Sequence, residues 1–195
     1  MHPFSIATAS YTFPEFLALT ESLVTAGRTT GPNQSESRIH FTKLNLHRTR
    51  RWLKTIEPSP ELIAALKIHG GVQWWFITEA WCSDSAQTLP LIAKAADASS
   101  IPLRIILRDD NLIIMDRYLT GTSRSIPKLV AFNADDTECF IWGPRPKPAQ
   151  ALYDDWKADP RGRDHDAFET ELHTWYAKDR GATLMAELIA ATKPC

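Results

Sequence analysis

Trp81-Cys82-Ser83-Asp84-Ser85 lies between an apolar run, residues 72–77, and a helix-like stretch, residues 87–96. A buried strand that hands over to a helix here places Cys82 at a helix N-terminus. The unpaired backbone N–H groups and the positive end of the macrodipole at such a position favour thiolate over thiol. The spacing therefore predicts an activated nucleophile, titrating below the ~8.5 of a free cysteine.

Outward from this stretch the chain alternates strand and helix. Residues 72–77, Val-Gln-Trp-Trp-Phe-Ile, are apolar almost throughout, as in a central strand covered on both faces. Pro90 falls inside the following helix and predicts a kink. Residues 101–107 read as a second buried strand, parallel to the first through that helix. Asp109 or Asp110 opens a helix carrying Leu112, Ile113, Met115 and Leu119, closed by Gly121. Residues 128–132, a polar turn at 133–137 and residues 139–142 give a β-hairpin signal, broken by Gly143-Pro144-Arg145-Pro146. From Pro148 the pattern is helical, with breaks at Pro160-Arg161-Gly162 and Gly181.

On the N-terminal side, Thr12-Phe13-Pro14-Glu15 forms a capping box for a helix with Phe16, Thr20, Leu23 and Val24 inward. Residues 37–56 carry Ile39, Thr42, Leu46, Thr49, Leu53 and Ile56 at alternating steps of three and four, one seam of a second helix. Lys43, Arg48, Arg50, Arg51 and Lys54 lie off that seam and read as a solvated face. Ser59-Pro60-Glu61 caps a short third helix. The expected organisation is a helical extension over 1–71, a core over 72–146 and C-terminal helices over 147–195, together one globular unit.

Composition narrows the function. Across 195 residues, 22 Lys and Arg nearly balance 23 Asp and Glu, so no overall field draws the chain to nucleic acid or to anionic lipid. No run approaches the ~20 apolar residues of a membrane span, and Met1-His2-Pro3-Phe4-Ser5 lacks the pattern of a secretory leader. A cytoplasmic location is the expectation. Cys82, Cys139 and Cys195 are too few and too widely spaced for a disulfide framework or paired zinc half-sites, so no metal is expected.

A strand, a helix opening on Trp81-Cys82, a parallel strand, a helix, the step Ile126-Pro127 and a hairpin follow the order of elements in the thioredoxin family, which the chain resembles. Pro90 matches the proline that kinks the active-site helix of thioredoxins, and Ile126-Pro127 resembles their cis-proline. The Thr78-Glu79-Ala80-Trp81-Cys82-Ser83-Asp84 stretch, Ser125-Ile126-Pro127-Lys128-Leu129 and Trp142-Gly143-Pro144-Arg145-Pro146 look most like a bacterial thioredoxin-like branch with a single active-site cysteine. The resemblance implies an α/β thioredoxin-like fold with about four strands in a mixed sheet and added helices at both ends. Two departures stand out. Ser85 occupies the place of the second cysteine, and the strand before the motif holds no acid, where thioredoxins bury one.

The resemblance and the thiol position together imply a thiol–disulfide oxidoreductase or low-molecular-weight-thiol exchanger, working through a mixed disulfide at Cys82 and needing no cofactor. Its partners would be a disulfide-bearing protein or a small thiol such as glutathione. Ser85 would donate to the thiolate, and Asp84 would cap the helix, with proton transfer its second role. Trp81 and the edge at Ile126 and Pro127 would form the substrate rim. Arg108, Arg124 and Arg145 reach the same sheet edge and would bind an anionic substrate, their bland alternative being local pairing with Asp84, Asp109 or Asp110. Cys139 reads as a packed small hydrophobe, and Cys195 as a resolving thiol or a frayed end. The rivals are a redox-inactive module that binds a peptide in this groove and an iron–sulfur carrier of the monothiol glutaredoxin type. The latter lacks a Gly-Gly pair after Pro127 and a lysine before the cysteine.

Overall fold

The computed structural model describes residues 2–192. Four strands, β1 (Gln73–Thr78), β2 (Leu103–Leu107), β3 (Lys128–Phe132) and β4 (Glu138–Trp142), form a sheet in the order β2-β1-β3-β4. β1 pairs parallel with β2 and antiparallel with β3, and β3 pairs antiparallel with β4. Trp74 thus has Leu103 on one side and Ala131 on the other. This central position explains the unbroken apolar run. Side chains alternate across a strand, and here Trp74 and Phe76 join one core cluster while Trp75 and Ile77 join another on the opposite face. The strand begins one residue after the apolar run does, and Val72 is half exposed.

The helices are α1 (Phe13–Thr25), α2 (Glu36–Thr55), α3 (Pro60–His69), α4 (Ser83–Ala98), α5 (Leu112–Met115), α6 (Lys147–Ala158), α7 (His165–Asp179) and α8 (Ala182–Thr192). Thr12 and Glu15 form the reciprocal capping box at α1, with Thr12 N donating to Glu15 Oε2 at 2.7 Å. Ser35 caps α2, two residues before the expected start. Leu62 and Leu66 of α3, Leu91 and Ile92 of α4, and Leu184 and Leu188 of α8 fill the first cluster with Trp52 of α2. Pro90 lies buried inside α4. Among the described residues no helix is long and apolar enough to cross a membrane.

One helix differs from expectation. α5 is only four residues long, its N-cap is Asn111 rather than an aspartate, and Leu112, Ile113 and Leu119 are exposed. The Asn111 side chain is committed elsewhere: Nδ2 donates to Leu107 O at 2.8 Å, and Oδ1 accepts from Thr8 N at 2.9 Å. After Met115, which is buried as expected, the backbone tightens to three-residue steps, Arg117 N to Ile114 O and Tyr118 N to Met115 O, and Ile114 and Tyr118 turn inward in place of the other three.

α6 and α7 form a hairpin with an apolar cluster of their own, built from Ala149, Phe168, Leu172 and Tyr176 with Tyr153, Trp156 and Trp175 around them. α8 then returns to pack on α3 and β4.

Candidate functional site

β1 ends at Thr78, and the turn Glu79-Ala80-Trp81 delivers Cys82 as the N-cap of α4. Cys82 N donates to Glu79 O at 3.1 Å, and Ala86 N donates to Cys82 O at 3.3 Å, which fixes the turn into the helix. The thiol points at the loop before β3, with Sγ donating to the carbonyl oxygen of Ile126 at 3.6 Å. The Ile126–Pro127 peptide is cis. Cys82, Ile126 and Pro127, separated by more than forty residues of chain, therefore meet at one end of the sheet.

The electrostatics reverse the expected activation. Cys82 is 7% exposed and belongs to the apolar cluster that holds Ile77, Ile106, Met115 and Ile126. Burial pushes its thiol up to about 11, and the Asp84 carboxylate adds to the rise. The Ser85 hydroxyl and backbone N–H, together with Arg145, pull the other way and do not prevail. Helix N-terminal placement lowers a thiol pKa when the thiolate keeps access to water, whereas apolar enclosure charges the full cost of removing the anion from solvent.

Asp84 stands in the first turn of α4 as expected, but it makes no capping hydrogen bond. No side chain caps this helix; the Asp84 carboxylate turns aside, with Oδ2 2.7 Å from an Arg145 guanidinium nitrogen and Oδ1 accepting from Tyr176 OH at 2.8 Å. A buried carboxylate takes the strongest donors within reach, and a guanidinium with a phenol outcompetes backbone N–H groups that the helix turn already orients elsewhere. Burial pushes the Asp84 carboxyl up, against the pull of Arg145 and Tyr176. Ser85 is buried, and its Oγ accepts from the Thr78 hydroxyl at 2.6 Å.

Trp81 is half-buried at the rim, with the guanidinium of Arg38 4.0 Å and that of Arg108 4.9 Å from its ring centroid. The three arginines reach this end of the sheet, and each holds a carboxylate: Arg108 with Asp109 at 2.7 Å, Arg124 with Asp116 at 2.6 Å and Arg145 with Asp84 at 2.7 Å. Arg108 and Arg124 line an open cleft of about 970 Å³ with Ser125 and Tyr153. Cys139 packs against the first core cluster from β4 and is not a free thiol. Cys195 lies outside the described residues.

Four contributors escape a reading of the sequence. Glu79 supplies a buried acid from the turn after β1, 1% exposed, with Oε1 accepting from Asp109 N at 2.8 Å. Burial pushes its carboxyl up. Its place inside the motif was the available signal. Tyr176 and His173 arrive on α7 from some ninety residues away, and His173 Nδ1 meets Gln87 Nε2 of α4 at 2.8 Å. Arg48 of α2 donates to Ser83 Oγ at 3.1 Å. For these three no local pattern marks the contact.

A β2-β1-β3-β4 sheet with a motif cysteine at the N-cap of the helix after its central strand, facing an Ile-Pro step before the hairpin, defines a thioredoxin-like fold. Residues 31–157 match a family model described as Thioredoxin, well over half the chain, and the chain belongs to that family. A crystal structure of a protein of unknown function from Pseudomonas aeruginosa is similar at a TM-score of 0.52 and 17% identity, covering 93% of this chain and 96% of that one. A crystal structure of an HIV epitope scaffold is similar at a TM-score of 0.51 and 15% identity, covering 90% and 98%. At such identities the likeness is one of fold. No curated protein matches the chain.

Proposed function

We propose that the chain is a single-cysteine thiol–disulfide exchanger that acts on a low-molecular-weight disulfide such as oxidised glutathione, or on a disulfide-bearing protein. The observation that carries this reading is the placement of Cys82 at the N-cap of α4, its sulfur turned to the Ile126 carbonyl beside Pro127. Family membership supports it.

In the proposed reaction the Cys82 thiol loses its proton and its sulfur attacks one sulfur of the substrate disulfide. The substrate S–S bond breaks, a mixed disulfide forms at Cys82, and the departing thiolate takes up a proton. Ser85 stands where a second cysteine would resolve the intermediate, so release requires an external thiol to attack the Cys82 sulfur. Trp81, Ile126 and Pro127 would form the wall that receives the substrate, with Arg145 and Asp84 setting the charge around the sulfur. Burial keeps Cys82 protonated at rest, so exchange is slow at neutral pH.

A second reading, a redox-inactive module that binds a partner in the cleft by Arg108 and Arg124, draws support from the same burial of the thiol. Intact mass after incubation with oxidised glutathione separates the two. A single glutathione adduct that is absent from Cys82→Ser supports exchange; no adduct on either protein supports the binding module.

A further inference from the structure

Arg48 is a cation that the fold half-buries without a direct ion pair. Its Nη1 donates to Asn45 Oδ1 at 3.0 Å and to Ser83 Oγ at 3.1 Å, both neutral acceptors. Among the described residues no carboxylate stands within ion-pair distance of it, whereas Arg38, Arg108, Arg124, Arg145 and Arg163 each hold one. Burial lowers its pKa, Glu169 and Asp84 raise it from longer range, and Arg51 lowers it further. Buried charges in folded proteins are as a rule paired, because desolvating an ion is costly unless an opposite charge answers it.

The guanidinium lines an open groove of about 1330 Å³ between α2 and α7. α2 packs mainly on α1 and α4, and α7 on α6, and residues of α2 and α7 line the two sides of this groove. Phe41, Leu44 and Arg48 line it from α2, at spacings that put them on one helix face, and Thr170, His173 and Lys178 line it from α7. Asp166 and Glu169 also border the groove, but Glu169 Oε2 is already held by His173 Nε2 at 2.9 Å. Bonds from one nitrogen hold the guanidinium in place and leave its other donors for a planar two-oxygen acceptor. Carboxylates fit that fork, and the aromatic and aliphatic wall of Phe41 and Leu44 offers cover to an apolar body.

We propose that the α2–α7 groove binds a small carboxylate-bearing molecule with an apolar body, its carboxylate on Arg48 and its body against Phe41 and Leu44. Ser83, the residue after Cys82, accepts from Arg48 and so joins this site to the motif, yet the site makes no use of the thiol and stands whether or not Cys82 exchanges disulfides.

Titration calorimetry of the full chain with phenylacetate, and with phenylacetamide as the neutral analogue of the same shape, tests it. The expected result is saturable binding of phenylacetate that is at least tenfold tighter than that of the amide, at least tenfold weaker in Arg48→Gln, retained in Arg124→Gln and in Cys82→Ser, and weakened by salt. Equal binding of acid and amide, no saturable binding of the acid, or unchanged binding in a folded Arg48→Gln would overturn the proposal. The comparison of acid with amide on the unaltered protein decides the matter even if Arg48→Gln does not fold.

Discussion

The hydroxyl of Tyr176 donates to Oδ1 of Asp84 at 2.8 Å, so a side chain of α7 completes the environment of the residue two positions after the motif cysteine. Arg145 holds the other carboxylate oxygen at 2.7 Å. Asp84 is 5% exposed, so its charge depends on these two partners. Removing one partner of a buried hydrogen bond leaves the other with its desolvation cost, about 1–3 kcal/mol. Tyr176→Phe is therefore expected to lower the urea-unfolding free energy by about that amount. A loss below a few tenths of a kcal/mol would show that the bond contributes nothing net.

Asp84→Asn should act on stability and on Cys82 in opposite directions. The Asp84 charge contributes to the raised thiol pKa, after burial, so its removal lowers the Cys82 pKa and enlarges the thiolate fraction at a fixed pH. It also strips Arg145 of its carboxylate, and breaking a buried pair costs on the order of 3–5 kcal/mol. The expected outcome is faster alkylation of Cys82 by iodoacetamide at pH 8.5 in a less stable but folded variant. Alkylation unchanged or slowed would contradict the electrostatic reading of Asp84.

The legibility of this chain in sequence divides along the range of the forces involved. The apolar run before the motif, the Thr12–Glu15 box and the Ser59 cap depend on residues one to four positions apart, and each reads directly into a strand, a reciprocal cap and a helix start. The position of Cys82 at the start of α4 was likewise legible. Its protonation state was not, because burial raises its pKa and the cluster that encloses it draws on Ile106, Met115 and Ile126, whose convergence the local pattern does not encode. Asp84 looked like a cap since only its own helix was in view; its actual partners lie sixty and ninety residues on, at Arg145 and Tyr176. Arg48 is likewise legible only as a residue off the α2 seam, and its groove partners on α7 lie more than a hundred residues on.

Stability should fall at alkaline pH through Cys82 in particular. The folded pKa of about 11 lies above the ~8.5 of a free thiol, so the folded state holds the proton more tightly. The associated stability is complete below about pH 8.5 and is lost as pH rises through about 11, amounting to roughly 3 kcal/mol at 1.36 kcal/mol per unit. Urea unfolding of the wild type and Cys82→Ser at pH 8 and pH 11 isolates this contribution from other titrating groups. The stability difference between the two proteins should shift by this amount against the wild type, and a constant difference across that range would refute it.

Gly143 couples the break after β4 to the Pro127 loop. Its φ is +116°, and a Cβ there would lie 2.3 Å from the backbone oxygen of Pro127. Non-glycine residues at such φ values cost of order 1–3 kcal/mol before any clash is counted, and the obstructing atom is backbone. Gly143→Ala is expected to destabilise the fold by more than that, read by thermal or urea unfolding. A variant of wild-type stability would mean that the loop relocates at little cost.

The account rests on Cys82 being a nucleophile that burial holds as a thiol. The most direct measurement is the initial rate of mixed-disulfide formation with oxidised glutathione from pH 7 to 11.5, mapped by mass to the peptide containing Cys82. Because thiolate is the attacking form, the rate should climb close to tenfold per pH unit and level off only near 11. A rate already level by pH 8, or no adduct at Cys82 at any pH at which the protein stays folded, would contradict it.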